Sequence, residues 1–212
     1  QYGNVEILTG TADTLTLTGD MIVNGSFNMN VANIINGSSF RLRGNITVTD
    51  VAQTGTTNTI IDGTTDQTIT GAGTLPGNGA TETIINKPSG NFTLLSNISF
   101  SNTGQDLRVV KGNINLNGFN LTVRDFYRVF DKMTLKGSET ITVNLLTTPA
   151  VTNPQFTISA TSSTIEYIDS AVVANITKHS KSFYNLNLGA GKTHEVATGA
   201  GNGITVNGSF NS

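Results

Sequence analysis

The sequence VNGSFN stands at residues 23–28 of this chain and occurs again at residues 206–211. In both copies an Asn-Gly pair lies between apolar residues, and Asn and Gly tolerate the backbone angles of sharp turns. The flanking residues alternate between apolar and polar side chains, as short strands do. A strand–corner–strand unit repeated at both ends of a chain is typical of a solenoid, whose coils cover one another's apolar faces.

Related motifs extend over most of the chain. They occupy residues 5–28, 66–123 and 163–211, and the middle copy is the loosest of the three. Because each copy of such a repeat can bury its apolar face only against its neighbours, we expect residues 1–212 to form a single elongated unit.

Alternating runs between these motifs predict further strands. Examples are TLTLT at 14–18, NITVT at 45–49 and TITV at 140–143, and they indicate an all-β chain. The repeats favour a parallel β-helix, or β-solenoid. A β-sandwich or a stack of sandwiches is the alternative, although it needs no shared motif at its two ends. The spacing of the aromatic residues at 123–136 is compatible with a helix, and a strand–turn–strand is the alternative for this segment.

Composition excludes several classes of function. The chain has 212 residues, a formal net charge of −2, 12% charged residues and no cysteine, so it has no disulfides and no thiol nucleophile. Nucleic-acid binders carry a strong basic excess, so we expect no nucleic-acid partner. No run of about 18 apolar residues predicts a membrane span. The scarcity of Lys and Glu, with Gln1 as first residue, favours an extracellular or cell-surface protein.

Two segments resemble modules that are common in large surface proteins of Bacteroidota. One carries the strings STIEY, FYNLNLGAGKT and ITVNGSF within residues 163–210, and the other begins with DQTITGAGT at 66–74 and runs to Val123. The resemblance implies a secreted or surface-exposed β-helical repeat protein that is adhesin-like or a component of a filament.

Catalytic signatures are scarce, so we expect that the chain is not an enzyme and needs no cofactor. His179 and His194 lack neighbouring ligand residues of a metal motif. Asp62 and Asp66 flank a Gly-Thr turn and are the candidate ligands for a calcium ion, which prefers carboxylate and carbonyl oxygens. A polysaccharide-degrading β-helix enzyme needs paired acids on one face, and an ice-binding protein needs a regular Thr-x-Thr ladder. The acids here are scattered and the threonines irregular.

A basic and aromatic segment lies at residues 106–136. Arg124, Tyr127 and Arg128 are the candidates for binding acidic surface glycans, because arginine pairs with carboxylates. The alternative interpretation is a solvent-exposed face with ion pairs, each worth about 0–1 kcal/mol.

Candidate glycosylation sites form another group. Thr14 and Ser170 each follow Asp and precede an apolar residue, which resembles an O-glycosylation signal of Bacteroidota. Sequons of the form Asn-x-Ser/Thr are also present, and the candidates among them are Asn24, Asn45, Asn97, Asn120 and Asn207.

These observations predict a structural protein: a surface-exposed β-solenoid rod that stacks into, or forms part of, a filament or adhesin stalk. A solenoid without polar caps exposes strand edges that invite further stacking. We expect end-to-end contacts between copies through Val23, Phe27, Val206 and Phe210. The alternative function is a glycan-binding adhesin or a phage-fibre-like module.

Overall fold

The computed structural model describes residues 1–7, 14–30, 34–49, 55–73, 75, 82–100, 105–129, 132–134, 139–143, 164–167, 174–175, 182–189, 194–195 and 204–212. Every regular element among them is a β-strand, and every strand pair is parallel. The strands stack as the coils of a β-solenoid, which confirms the predicted fold. The sandwich alternative is wrong, because its sheets are antiparallel.

The strands are short, apart from two. In chain order they are β1 (Val5–Ile7), β2 (Thr14–Leu17), β3 (Met21–Val23), β4 (Phe27–Met29), β5 (Ile34–Gly37), β6 (Phe40–Leu42), β7 (Ile46–Val48), β8 (Thr59–Ile61), β9 (Gln67–Thr70), β10 (Glu82–Leu94), β11 (Ile98–Phe100), β12 (Asp106–Asn115), β13 (Leu121–Val123), β14 (Asp125–Val129), β15 (Lys132–Thr134), β16 (Thr140–Val143), β17 (Thr164–Tyr167), β18 (Ala174–Asn175), β19 (Ser182–Phe183), β20 (Asn185–Leu188), β21 (His194–Glu195), β22 (Thr205–Val206) and β23 (Phe210–Asn211).

Three stacks account for most of these strands. The first contains β3, β6 and β8, and the second contains β1, β4, β7 and β9. The long strands β10 and β12 pass through both stacks and end beside β14 and β15. The third stack is β11-β13-β16-β17-β20-β23, and three shorter pairs join β2 to β5, β18 to β21 and β19 to β22.

The strand register gives the coil length, because two residues that pair between neighbouring coils are one coil apart in the sequence. Phe27 pairs with Ile46, and Gln67 pairs with Phe92. Side-chain bonds between neighbouring coils likewise join residues that are commonly 19 to 25 positions apart. Each coil therefore contributes only a few apolar residues, and its neighbours cover them.

The core is a column of inward-facing side chains. Strands such as β4, β6 and β7 alternate buried, half-buried, buried, which is the alternation expected of a strand with one face inside. Phe27 and Phe40 meet edge to face, with ring centroids 4.8 Å apart and planes at 81°, a favourable aromatic geometry. Residues 123–136, for which a helix was one of two alternatives, contain β14 and β15. The strand interpretation is therefore confirmed.

Candidate functional site

The corners between strands carry a ladder of Asn and Asp side chains. In each rung a side-chain oxygen accepts a hydrogen bond from a backbone N–H one coil later, and in most rungs that N–H lies at or next to the start of a strand. Asn97 Oδ1 accepts from Asn120 N at 2.9 Å, and Asn120 Oδ1 accepts from Thr140 N at 2.8 Å. The other rungs join Asn4 to Ser26, Asp20 to Ser39, Asn36 to Thr56, Asn45 to Thr68, Asn58 to Glu82, Asp66 to Asn91 and Asn185 to Ser209.

The two VNGSF corners are held in the same way. Residues 23–27 lie on residues 2–5, and residues 206–210 lie on residues 183–186. Eight hydrogen bonds form four matching pairs, with the bond of the first corner given first. They are Asn24 N to Tyr2 O (2.9 Å) and Asn207 N to Phe183 O (3.0 Å), Gly25 N to Gly3 O (2.8 Å) and Gly208 N to Tyr184 O (2.7 Å), Val5 N to Ser26 O and Leu186 N to Ser209 O (both 2.9 Å), and Ser26 N to Asn4 Oδ1 and Ser209 N to Asn185 Oδ1 (both 2.9 Å). The repeated sequence therefore encodes a repeated junction between two coils.

Glycine is required at these corners by close packing. A Cβ on Gly44 would lie 2.1 Å from Gly25 O, and a Cβ on Gly63 would lie 2.3 Å from Arg43 O. Neither glycine has a positive φ, so the requirement is steric. Adjacent coils approach so closely at this corner that no side chain fits between them.

A buried lysine lies at one of these corners. Lys87 is fully buried in β10, and its Nζ donates to Gly63 O at 2.8 Å, Thr65 O at 2.7 Å and Gln67 Oε1 at 2.6 Å. The three acceptors match the three N–H bonds of an ammonium group. Burial lowers the pKa of Lys87 to about 8, while the carboxylates of Asp66 and Asp62 oppose that shift.

The calcium candidates Asp62 and Asp66 have protein partners instead. Asp62 accepts from Arg41 at 2.6 Å and from Arg43 at 3.2 Å, and Asp66 Oδ1 accepts from Asn91 N at 2.7 Å. In the turn between them, Gly63 O and Thr65 O accept from Lys87, and Thr64 O accepts from the Ser89 hydroxyl. In the described part of the chain, no group of three or more His, Cys, Asp or Glu residues is close enough to hold a metal ion.

The arginines of the basic segment that the structure describes form ion pairs. Arg124 lies 2.6 Å from Asp106, and Arg108 lies 3.2 Å from Glu82. Burial raises the pKa of Asp106, and Arg124 opposes that shift. Tyr127 and Arg128 lie in β14, where Arg128 pairs in register with Arg108, but their side chains lie outside the described residues. At Arg124 the structure has the ion pair of the alternative interpretation. Binding of glycans by this segment stays a prediction.

The glycosylation candidates that the structure describes are all at the surface. Thr14 is exposed on β2, and the sequon residues Asn24, Asn45, Asn97, Asn120 and Asn207 are exposed as well. Several of these asparagines also cap the next coil through Oδ1, which gives a structural reason for their presence. Ser170 lies outside the described residues. Modification at these positions stays a prediction.

The residues predicted to stack end to end divide into two groups. Val23 and Phe27 are fully buried and are covered by β6 and β7, so they cannot belong to an end surface and that part of the prediction is wrong. Val206 is half-buried, and Phe210 is 53% exposed on the last described strand. At the other end Tyr2 is 55% exposed. The sequence reasoning missed Tyr2 because it followed the repeated hexapeptide instead of the coil beneath it.

Comparison of this chain with protein-family models, with curated proteins and with solved structures returned no match. Among the described residues there is no helix long and apolar enough to cross a membrane. The structural features that bear on function are the geometry of the corners and the exposed strands of the two outer coils.

Proposed function

We propose that this chain is a structural extracellular protein: a segment of a surface-exposed β-solenoid rod that stacks into, or forms part of, a filament or adhesin stalk. The observation that carries the proposal is the state of the two outer coils. Among the described residues β1 pairs only with β4, and β23 pairs only with β20. Each therefore presents one strand edge that is open to another chain.

Apolar side chains accompany these open edges. Tyr2 and Phe210 are more exposed than any other large apolar side chain of the described residues. A solenoid coil normally buries such residues against the next coil, and terminal coils need a polar cap to remain soluble alone. Head-to-tail contact between identical coils does not close on itself and therefore produces an open fibre.

Electron microscopy of the native protein at micromolar concentration tests the proposal. We expect filaments of uniform width, with strands perpendicular to the filament axis and spaced by about 4.8 Å. Sedimentation velocity over a range of protein concentrations should show association that grows with concentration. A monodisperse monomer at high concentration would contradict the proposal of a self-stacking rod.

A further inference from the structure

One internal junction shows how a coil covers a VNGSF corner. Residues 43–46 lie on residues 23–27: Arg43 N donates to Val23 O at 2.9 Å, and Phe27 N donates to Asn45 O at 2.9 Å. Gly44 lies directly over Gly25, where no Cβ fits. At this junction the covering pattern is Gly-Asn-apolar, here Gly44-Asn45-Ile46. Glycine is required over Gly25 and Ile46 pairs with Phe27, whereas Asn45 contributes its backbone oxygen.

The two outer coils carry the two halves of this junction. Residues 3–5 read Gly-Asn-Val, which is the covering pattern, and residues 206–210 read Val-Asn-Gly-Ser-Phe, which is the covered pattern. Residues 3–5 and 44–46 are also equivalent in the structure. Val5 and Ile46 both pair in register with Phe27, one from each side. Phe210 occupies the same place relative to Leu186 as Phe27 does relative to Val5.

Within the described part of the chain, neither steric contact nor backbone conformation requires glycine at position 3. The corner glycines Gly25, Gly44 and Gly208 would each place a Cβ within 3 Å of the coil before them, whereas a Cβ on Gly3 meets nothing within 4 Å. Gly3 is also absent from the residues with positive φ. Gly3 lies in a bend before β1, and glycine loses more conformational freedom on folding than any other residue, so its presence here indicates close contact with a coil beneath it.

The backbone of the last coil is oriented to receive that contact. Hydrogen bonds alternate between the two sides of a strand in a parallel sheet. Leu186 N donates to Ser209 O, so the next amide along, Phe210 N–H, points away from β20. It is the counterpart of Phe27 N–H, which donates to Asn45 O in the internal junction.

We propose that a second copy of this chain is the partner, and that its residues 3–5 lie on residues 206–210 in the register of 44–46 on 23–27. Phe210 N–H then donates to Asn4 O of the second copy, and Glu6 of the second copy stacks beside Asn211. This inference rests on the proposed function, since it specifies the contact by which the rods would stack.

Substitution of Gly3 separates the contact from the fold. Gly3→Val places its Cβ where no atom of the described chain lies within 4 Å, so circular dichroism and the thermal midpoint should stay those of the native chain. We expect sedimentation velocity to show at least a tenfold weaker association. Thr65→Val adds an apolar group at an exposed position on the side of the solenoid and should associate like the native chain. Association of Gly3→Val that equals the native chain would overturn the proposal.

Cysteine trapping tests the register, since the chain has no native cysteine. Glu6→Cys and Asn211→Cys are made on separate chains and mixed under mild oxidation. Stacked strands lie about 4.8 Å apart, within the Cα separation that a disulfide spans. We expect a disulfide dimer that contains one chain of each kind. Dimers of Glu6→Cys alone, or equal trapping with Asn207→Cys in place of Asn211→Cys, would overturn the register.

The junction and the self-stacking of the rod can be tested separately. Filaments that form but are insensitive to Gly3→Val, and that give no Glu6–Asn211 disulfide, would overturn this junction while leaving the stacking rod in place. Absence of any association of the native chain would overturn both the junction and the proposed self-stacking.

Discussion

The charge state of Lys87 depends on the fold. Its pKa falls from 10.5 to about 8 on burial, so between these two pH values the unfolded chain binds a proton that the folded chain has released. The free energy of unfolding therefore rises with pH across that window. We expect the stability difference between the native chain and Lys87→Met to grow as the pH increases from 8 to 10.5, measured by urea unfolding at fixed salt.

Lys87→Met also isolates the hydrogen bonds of the corner. It keeps most of the side-chain volume but leaves Gly63 O, Thr65 O and Gln67 Oε1 without the ammonium group. At pH 7 we expect a loss of about 1–3 kcal/mol, the cost of unsatisfied buried polar groups. A difference from the native chain that is the same at every pH from 7 to 10.5 would show that folding does not lower the pKa of Lys87.

The corner glycines give a second prediction at the residue scale. Gly44→Ala places a Cβ 2.1 Å from Gly25 O, so the two coils must move apart, and overpacking of this kind costs about 1–3 kcal/mol. Gly19→Ala is the matched control, because its Cβ meets nothing within 4 Å. A thermal midpoint for Gly44→Ala no lower than that of Gly19→Ala would contradict the steric argument.

Sequence reasoning identified the turn residues but not the buried lysine. Asn-Gly pairs mark corners because their backbone preferences are local, and local preferences are visible in a sequence. Lysine is almost never fully buried, and two of the oxygens that bind Lys87 belong to backbone carbonyls more than 20 residues earlier. The nearest signal in the sequence was the turn between Asp62 and Asp66, which were candidate calcium ligands; in the structure the ammonium group of Lys87 binds the carbonyl oxygens of that turn.

At the scale of the strand, the asparagine ladder couples each coil to the next. Asn97→Ala removes the acceptor for Asn120 N at the start of β13, and we expect a loss of about 1 kcal/mol, the net worth of a typical hydrogen bond. Asn97→Asp keeps an oxygen at Oδ1 and should stay within a few tenths of a kcal/mol of the native chain. Urea midpoints of the two variants measure the difference.

The control for the ladder is Asn207→Ala. Asn207 is exposed on the last coil, and its side chain makes no hydrogen bond within the described part of the chain, so its removal should leave the midpoint unchanged. If Asn97→Asp were as unstable as Asn97→Ala, the stabilisation would come from a contact other than the Oδ1 cap.

Strand identity was predictable from alternation, but strand continuity was not. Pro88, Ser89 and Gly90 are residue types that are typical of turns and not of strand interiors. In the structure β10 runs through all of them from Glu82 to Leu94. Proline is tolerated there because the strand bends at a corner, where a ladder hydrogen bond is already lost. Such corners depend on the coils above and below, which a local pattern does not contain.

At the scale of the whole molecule, the solenoid was predictable because the hexapeptide VNGSFN occurs twice in the sequence. The same hexapeptide produced the same set of bonds at 23–27 and at 206–210. Which of its residues remain exposed was not predictable, because exposure depends on whether another coil follows. Phe27 is buried beneath β7, whereas Phe210, its counterpart, is 53% exposed.

Contacts that reach only neighbouring coils should make unfolding local. Repeat proteins behave approximately as one-dimensional arrays in which stability is a sum over units and interfaces. Phe27→Ala removes a fully buried ring that packs edge to face on Phe40, at a cost of about 3–5 kcal/mol. We expect hydrogen exchange measured by mass spectrometry to accelerate most at β1, β4 and β7, and least at β17 and β20.

Phe183→Ala is the reciprocal variant, because Phe183 is equally buried but lies beside β20 in the chain. Its exchange should accelerate at β17, β20 and β23 and leave β1 and β4 as in the native chain. Uniform acceleration throughout the chain in both variants would instead require a single cooperative unit. In that case an end coil could not rearrange without unfolding the rest, and stacking through the outer coils would have to proceed between rigid bodies.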